Sequence, residues 1–159
     1  MEEISIVEIG NRQSSTNPHY IHKTVVKPEF TDRTKYYILG LCVANDAFIP
    51  ENAVIGEYTG KIVTKQDKKS LYTFEMAEGT YVDAQDTGNT IRFVNNRCVN
   101  TNAFFLTVIT AGGQKSIFLK AERDIHAGEF ISASYGESYE IHNCLCDDCY
   151  FEDKKPKAK

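Results

Sequence analysis

Three thiols fall within six residues near the C-terminus, at Cys144, Cys146 and Cys149. Thiolates are soft ligands, and Cys-x-Cys-x-x-Cys offers three corners of the tetrahedron that zinc takes in a reducing compartment. The same Cys146/Cys149 spacing suits a redox dithiol, although no βαβ pattern surrounds it. Three unligated surface thiols are the remaining reading. A second stretch, I-R-F-V-N-N-R-C from Ile91 to Cys98, is a short apolar run that ends in two amides, a guanidinium and a thiol. Polar groups that interrupt a buried-looking run need hydrogen-bond partners. A third, I-S-A-S-Y-G from Ile131 to Gly136, is strand-like and ends on a tyrosine and a glycine.

The elements that must position these residues are short and β-like. Tyr36 to Val43 reads as a strand, and Ala53 to Val63 as another, broken at Gly56 and Gly60. Thr64 to Ser70 is polar, either a loop or one turn of helix. Leu71 to Met76 alternates and Glu78-Gly79 closes it, so Leu71 to Asp83 predicts a hairpin. Asp86 to Gly88 is a turn. Ala103 to Thr110 and Lys115 to Ala121 are strands joined by Ala111-Gly112-Gly113-Gln114, and Phe130 to Ser134 is the last strand. Upstream, Asn11 to Pro18 is a polar loop and His22 to Val26 a possible strand that Pro28 interrupts. Sustained helical periodicity is absent. Many short strands with close turn signals predict a mainly β domain, not a doubly wound nucleotide-binding sheet.

A chain of 159 residues suggests one domain, and 42% apolar with 25% charged residues is ordinary for a soluble globular protein. No apolar run approaches the roughly 20 residues that span a bilayer, so no membrane partner is expected. The acidic start, Met1-Glu2-Glu3, is a poor leader, which points to a nuclear or cytoplasmic location. A formal net charge of −4 argues against direct nucleic-acid binding and suits a basic partner. The lysine-rich end, Lys154 to Lys159, reads as a solvated, disordered tail. The oligomeric state has no sequence signal.

The order Gly88-Asn89, Arg92-Phe93-Val94-Asn95, Cys98, then Gly128-Glu129 to Tyr135-Gly136 resembles the SET domain of protein lysine methyltransferases. So does Ile55-Gly56-Glu57-Tyr58-Thr59-Gly60. The resemblance implies a fold of several small sheets with a knotted-loop crossing near the active site. It divides the chain into an N-terminal flank (1–35), a SET-like domain (36–140), a post-SET-like zinc segment (141–151) and the tail (152–159). It implies S-adenosylmethionine as cofactor and a lysine-containing protein, such as a histone tail, as partner.

Residue by residue, the resemblance makes Tyr135 the catalytic tyrosine, with Tyr58 lining the lysine channel. Gly40-Leu41-Cys42, Tyr72, Asn95 and Asn96 would meet the cofactor, and Cys98 would complete one zinc site with Cys144, Cys146 and Cys149. The chain departs from the family pattern at Cys42, where a second glycine is usual. It also departs at Asn52, a glycine position where asparagine tolerates positive φ, and at Asn96 and Arg97 in place of His-Ser. Two residues before Tyr135, Ala133 replaces an aromatic that limits the number of methyls added. The thiol spacing is two residues shorter than the family's.

Plainer readings stand beside these. The glycine-rich stretch can be a buried strand and turn, the amides can tie a loop crossing together, and the tyrosines can be core rings with satisfied hydroxyls. Two rival functions follow: a SET-like module that binds a peptide without transferring methyl, and a small zinc-binding interaction protein.

Overall fold

A computed structural model describes residues 4–5, 19–30 and 37–135. Their strands in chain order are β1 (Ile4–Ser5), β2 (Thr24–Phe30), β3 (Tyr37–Val43), β4 (Val54–Glu57), β5 (Lys61–Val63), β6 (Thr73–Ala77), β7 (Thr80–Asp83), β8 (Asn95–Asn96), β9 (Ala103–Ile109), β10 (Lys115–Ala121) and β11 (Ser132–Ala133). Two short 3₁₀ turns, Tyr20–Lys23 and Thr90–Phe93, are the helical elements among the described residues. The strands form four small sheets, ordered β1-β9-β10-β4, β5-β7-β6, β2-β3 and β8-β11. The mainly β expectation holds.

Local turn chemistry accounts for most of this. β9 and β10 pair antiparallel from Ala103 opposite Ala121 to Ile109 opposite Lys115. Thr110 N–H donates to the Gln114 carbonyl at 2.7 Å, and Gly113 supplies the positive φ that the turn requires. The predicted hairpin at 71–83 is β6-β7, turning at Glu78-Gly79. The break at Gly60 has a steric cause, because a Cβ there would sit 2.5 Å from the Asp83 carbonyl oxygen. Asn52 takes φ 67°, as its replacement of a glycine requires. Residues 64–70 form bends and a turn, not a helix.

Two expectations are corrected. β2 continues through Pro28, which lies opposite Leu39. Among the described residues this strand pairs with β3 alone, and an edge strand tolerates a residue without an N–H. The last strand is only Ser132–Ala133, because residues 130–134 satisfy their backbone by several separate contacts instead of one ladder. The Asn11–Pro18 loop lies outside the described residues.

The core runs between the sheets. Leu41, Val43, Ile49, Ile55, Ile91, Ile117, Leu119, Ile125 and Ile131 are wholly buried in one cluster. Tyr58, Phe74 and Phe105 pack at its edge, with ring centroids 4.9–6.1 Å apart. That spacing suits tilted and edge-to-face aromatic contacts. This aromatic edge forms part of the wall of the candidate site.

Candidate active site

The cavity sits where the β5-β7-β6 sheet meets β9 and the crossing of residues 92–96 with 131–135. Its volume is about 210 Å³, and its lining includes Tyr58, Tyr72, Phe74, Arg92, Val94 and Tyr135. Tyr58 reaches it from the end of β4. It is 7% exposed, and its hydroxyl donates to the Tyr72 carbonyl at 2.6 Å. Burial pushes the Tyr58 phenol well above its ordinary range, and Asp83 adds to the rise, so the hydroxyl keeps its proton at neutral pH.

Tyr72 is held from two sides. Its ring lies edge-on to Phe93 at 6.0 Å, and the Arg92 guanidinium sits over both rings, 5.7 Å from Tyr72 and 5.0 Å from Phe93. Arg92 Nη1 donates to the Ala84 carbonyl at 2.9 Å. Arg92 Nε and Thr73 Oγ1, both on cavity-lining residues, are buried without a hydrogen-bond partner among the described residues.

Tyr135 lies two residues past the end of β11. Its hydroxyl donates to the Val94 carbonyl, and its N–H donates to Asn96 Oδ1 at 2.9 Å. The two segments that carry these residues are stitched together. Asn95 and Asn96 pair in parallel with Ser132 and Ala133. Arg97 N–H donates to the Ala133 carbonyl at 3.2 Å. Asn102, 3% exposed, donates from Nδ2 to the Phe130 carbonyl at 2.8 Å and accepts at Oδ1 from Ser132 N–H at 2.9 Å. The amides therefore tie a crossing, as the plainer reading has it, and that crossing also fixes the backbone of Tyr135.

Behind the crossing lies β3. Asn95 Nδ2 donates to Glu29 Oε2 at 2.7 Å and to the Leu39 carbonyl at 3.1 Å. A Cβ on Gly40 would sit 2.5 Å from Glu29 Oε2 and 2.9 Å from Phe130 Cδ1, so that carboxylate and ring would have to shift to admit a larger residue. Leu41 is wholly buried in the core. Cys42 is 2% exposed, bridges to Phe130 and points its thiol at the Val43 carbonyl. Burial raises the Cys42 thiol pKa.

Tyr58, Tyr72 and Tyr135 thus share one cavity, with Asn96 bonded to Tyr135 and Asn95 beside it. Gly40 adjoins Asn95, while Leu41 and Cys42 do not line the cavity. Cys98 is exposed just beyond β8, and Cys144, Cys146 and Cys149 lie outside the described residues. Glu29, Phe105 and the Val94 carbonyl escape sequence reasoning. Their roles depend on pairings 31 to 66 residues away that leave no local pattern.

The SET domain family model matches residues 40–136. The chain belongs to the SET-domain family. This SET domain is 34% identical over 114 residues to the "Histone-lysine N-methyltransferase, H3 lysine-4 specific" of Yarrowia lipolytica, covering 62% of this chain and 10% of that protein. Among solved structures it resembles the polycomb repressive complex 2 of Chaetomium thermophilum, with a TM-score of 0.62 at 24% identity over 74% of this chain and 16% of that one. It also resembles ctPRC2 in an autoinhibited conformation bound to S-adenosylmethionine. There the TM-score is 0.59 at 23% identity, over 84% of this chain and 17% of that one. The chain thus spans a small fraction of these proteins' length.

Proposed function

We propose that this SET domain transfers methyl groups from S-adenosylmethionine to lysine in a protein, with a histone-like basic tail as acceptor and the nucleus as its location. The observation that carries the reading is the cavity itself, where Tyr58, Tyr72 and Tyr135 converge beside the Asn95–Asn96 strand. Relatives named as histone-lysine methyltransferases support the acceptor class, and the net charge of −4 suits a basic partner.

Bound S-adenosylmethionine supplies the electrophilic methyl. The chain's work is to deliver a neutral amine in line with it. A free lysine is neutral in only about one molecule in 2,500 at pH 7. Aromatic walls from Tyr58, Tyr72 and Phe74 desolvate an entering ammonium and favour its neutral form. The two phenol oxygens and the Tyr72 and Val94 carbonyls give the cavity fixed acceptors, which align the amine and hold the polarised methyl by weak C–H···O contacts. Asn95 and Asn96 stand on the cofactor side. At Ala133 a single methyl group stands where the family carries a ring, and on that resemblance more than one methyl is added.

The donor set fits one zinc ion, since Cys98 is exposed beyond β8 and three more thiols follow within the C-terminal segment. The reading is tested by transfer of labelled methyl to core histones, with Tyr135→Phe beside the wild type. Label that falls at least tenfold in Tyr135→Phe supports it, and mass spectrometry of the product is expected to show di- or trimethyl-lysine. No transfer together with no cofactor binding would favour a peptide-binding module.

A further inference from the structure

The β6-β7 hairpin gives the cavity a second wall, and it is polar. Thr73 and Glu75 lie two residues apart on β6, so they project to one face of that strand. Tyr81 is directly opposite Glu75 on β7 and shares the face. All three line the cavity. Thr73 Oγ1 is buried without a hydrogen-bond partner among the described residues. Glu75 is exposed, and among the described residues its carboxylate has neither a hydrogen bond nor an ion pair. The exposed lysines of the neighbouring loop, Lys65, Lys68 and Lys69, do not pair with it. Asp83, opposite Thr73, is already engaged, since its carboxylate accepts from Ser70 Oγ and Gln85 N–H. A buried hydroxyl without a partner is costly, and beside a cavity it points to a ligand that supplies one.

The chemistry of the three groups selects that ligand. Glu75 is the one acid on the cavity lining and Arg92 the one base among the described residues. Arg92 is committed to the Ala84 carbonyl and to the Tyr72 and Phe93 rings. A carboxylate, a hydroxyl and a phenol ring on one face match a guanidinium, which offers its N–H donors in a flat fork and stacks on aromatic rings. We infer that Thr73, Glu75 and Tyr81 form a subsite for an arginine within two residues of the acceptor lysine. Glu75 takes the guanidinium in a charge-assisted pair and Thr73 Oγ1 accepts a further N–H. Residues of an extended peptide advance ~3.3 Å each, so a side chain up to two positions from the lysine meets this wall. The inference rests on the methyl-transfer reading above and narrows its acceptor class.

The test measures peptide affinity by fluorescence anisotropy and labelled-methyl transfer in the same samples. The peptides carry one lysine and differ at positions −2 to +2, where arginine is compared with alanine and with citrulline, which keeps the shape and lacks the charge. At one of these positions wild type is expected to bind the arginine peptide roughly five- to tenfold more tightly than either other, the scale of one charge-assisted bond. That ratio is expected to fall close to one in Glu75→Gln. Thr73→Val, which replaces an unpaired hydroxyl by a methyl of the same shape, is expected to narrow the ratio while raising the melting temperature. Thermal melts check that both variants fold. No arginine preference in wild type, or a preference that survives both substitutions, overturns the subsite, and transfer of label then leaves the methyl-transfer reading standing. An arginine preference lost in Glu75→Gln without transfer from wild type keeps the subsite and overturns methyl transfer. Failure of wild type to bind or label any peptide overturns both.

Discussion

Tyr58 and Tyr135 line one cavity, and their hydroxyls differ in what they hold. Tyr58 is nearly buried and spends its proton on the Tyr72 carbonyl, while Tyr135 bonds the Val94 carbonyl across the crossing. Removing the first hydroxyl leaves a buried carbonyl short of a donor, which costs about 1 kcal/mol of stability. Tyr58→Phe is therefore expected to fold with a slightly lower urea midpoint. The two proteins should also differ in alkali. The folded Tyr58 pKa is raised above its unfolded value, so the hydroxyl's contribution is intact below about pH 10 and is lost as pH rises beyond that. Unfolding followed between pH 9 and pH 11 should show the wild type losing its advantage over Tyr58→Phe. A constant difference across that range would mean that the phenol titrates normally.

At the scale of elements, the decisive feature is the joint between residues 95–102 and 130–135. Two strands of two residues each cannot hold a parallel pairing alone, and Asn102 supplies the missing bonds. Asn102→Ala strands the Phe130 carbonyl and the Ser132 N–H in a buried place, at about 2–4 kcal/mol. Chemical denaturation should show that loss, and cofactor binding should weaken with it because Tyr135 hangs from the same joint. Asn102→Asp keeps an acceptor for Ser132 N–H and loses the donor to Phe130, so it should fall between.

The sequence shows this part of the molecule unevenly. The hairpin at 73–83 is written in alternation and a turn glycine, and that at 103–121 in two apolar runs around Gly112-Gly113, signals that act within about 20 residues. Tyr58, Tyr72, Tyr135, Asn95 and Asn96 are legible through motif resemblance. The persistence of β2 through Pro28 is not, because it depends on that strand having one partner among the described residues. Nor is the partner of Asn95, a glutamate 66 residues upstream, because no periodicity links two such distant positions.

At the scale of the whole molecule, the question is what joins the C-terminal thiols to the site. Cys98 follows Arg97, whose N–H is anchored on the Ala133 carbonyl, so its backbone is fixed beside the crossing. Tyr135 lies on the same joint, and Cys144 follows nine positions later. Nine residues span up to roughly 30 Å when extended, enough to bring the thiols back to Cys98. One zinc ion held by Cys98, Cys144, Cys146 and Cys149 would then close a loop over the crossing and restrict the segment after Tyr135. Thiolates bind zinc only when deprotonated, so retention should fall as pH drops, and binding should add to stability. Purified protein is expected to carry one zinc per chain by elemental analysis, and a strong chelator should lower both its melting temperature and its affinity for S-adenosylmethionine. Cys98→Ser should retain well under one equivalent after dialysis, since three thiols leave the tetrahedron open. A Cys98→Ser protein with a full equivalent would show that the metal is held within the C-terminal segment alone, and the site would then owe its closure to the amide joint.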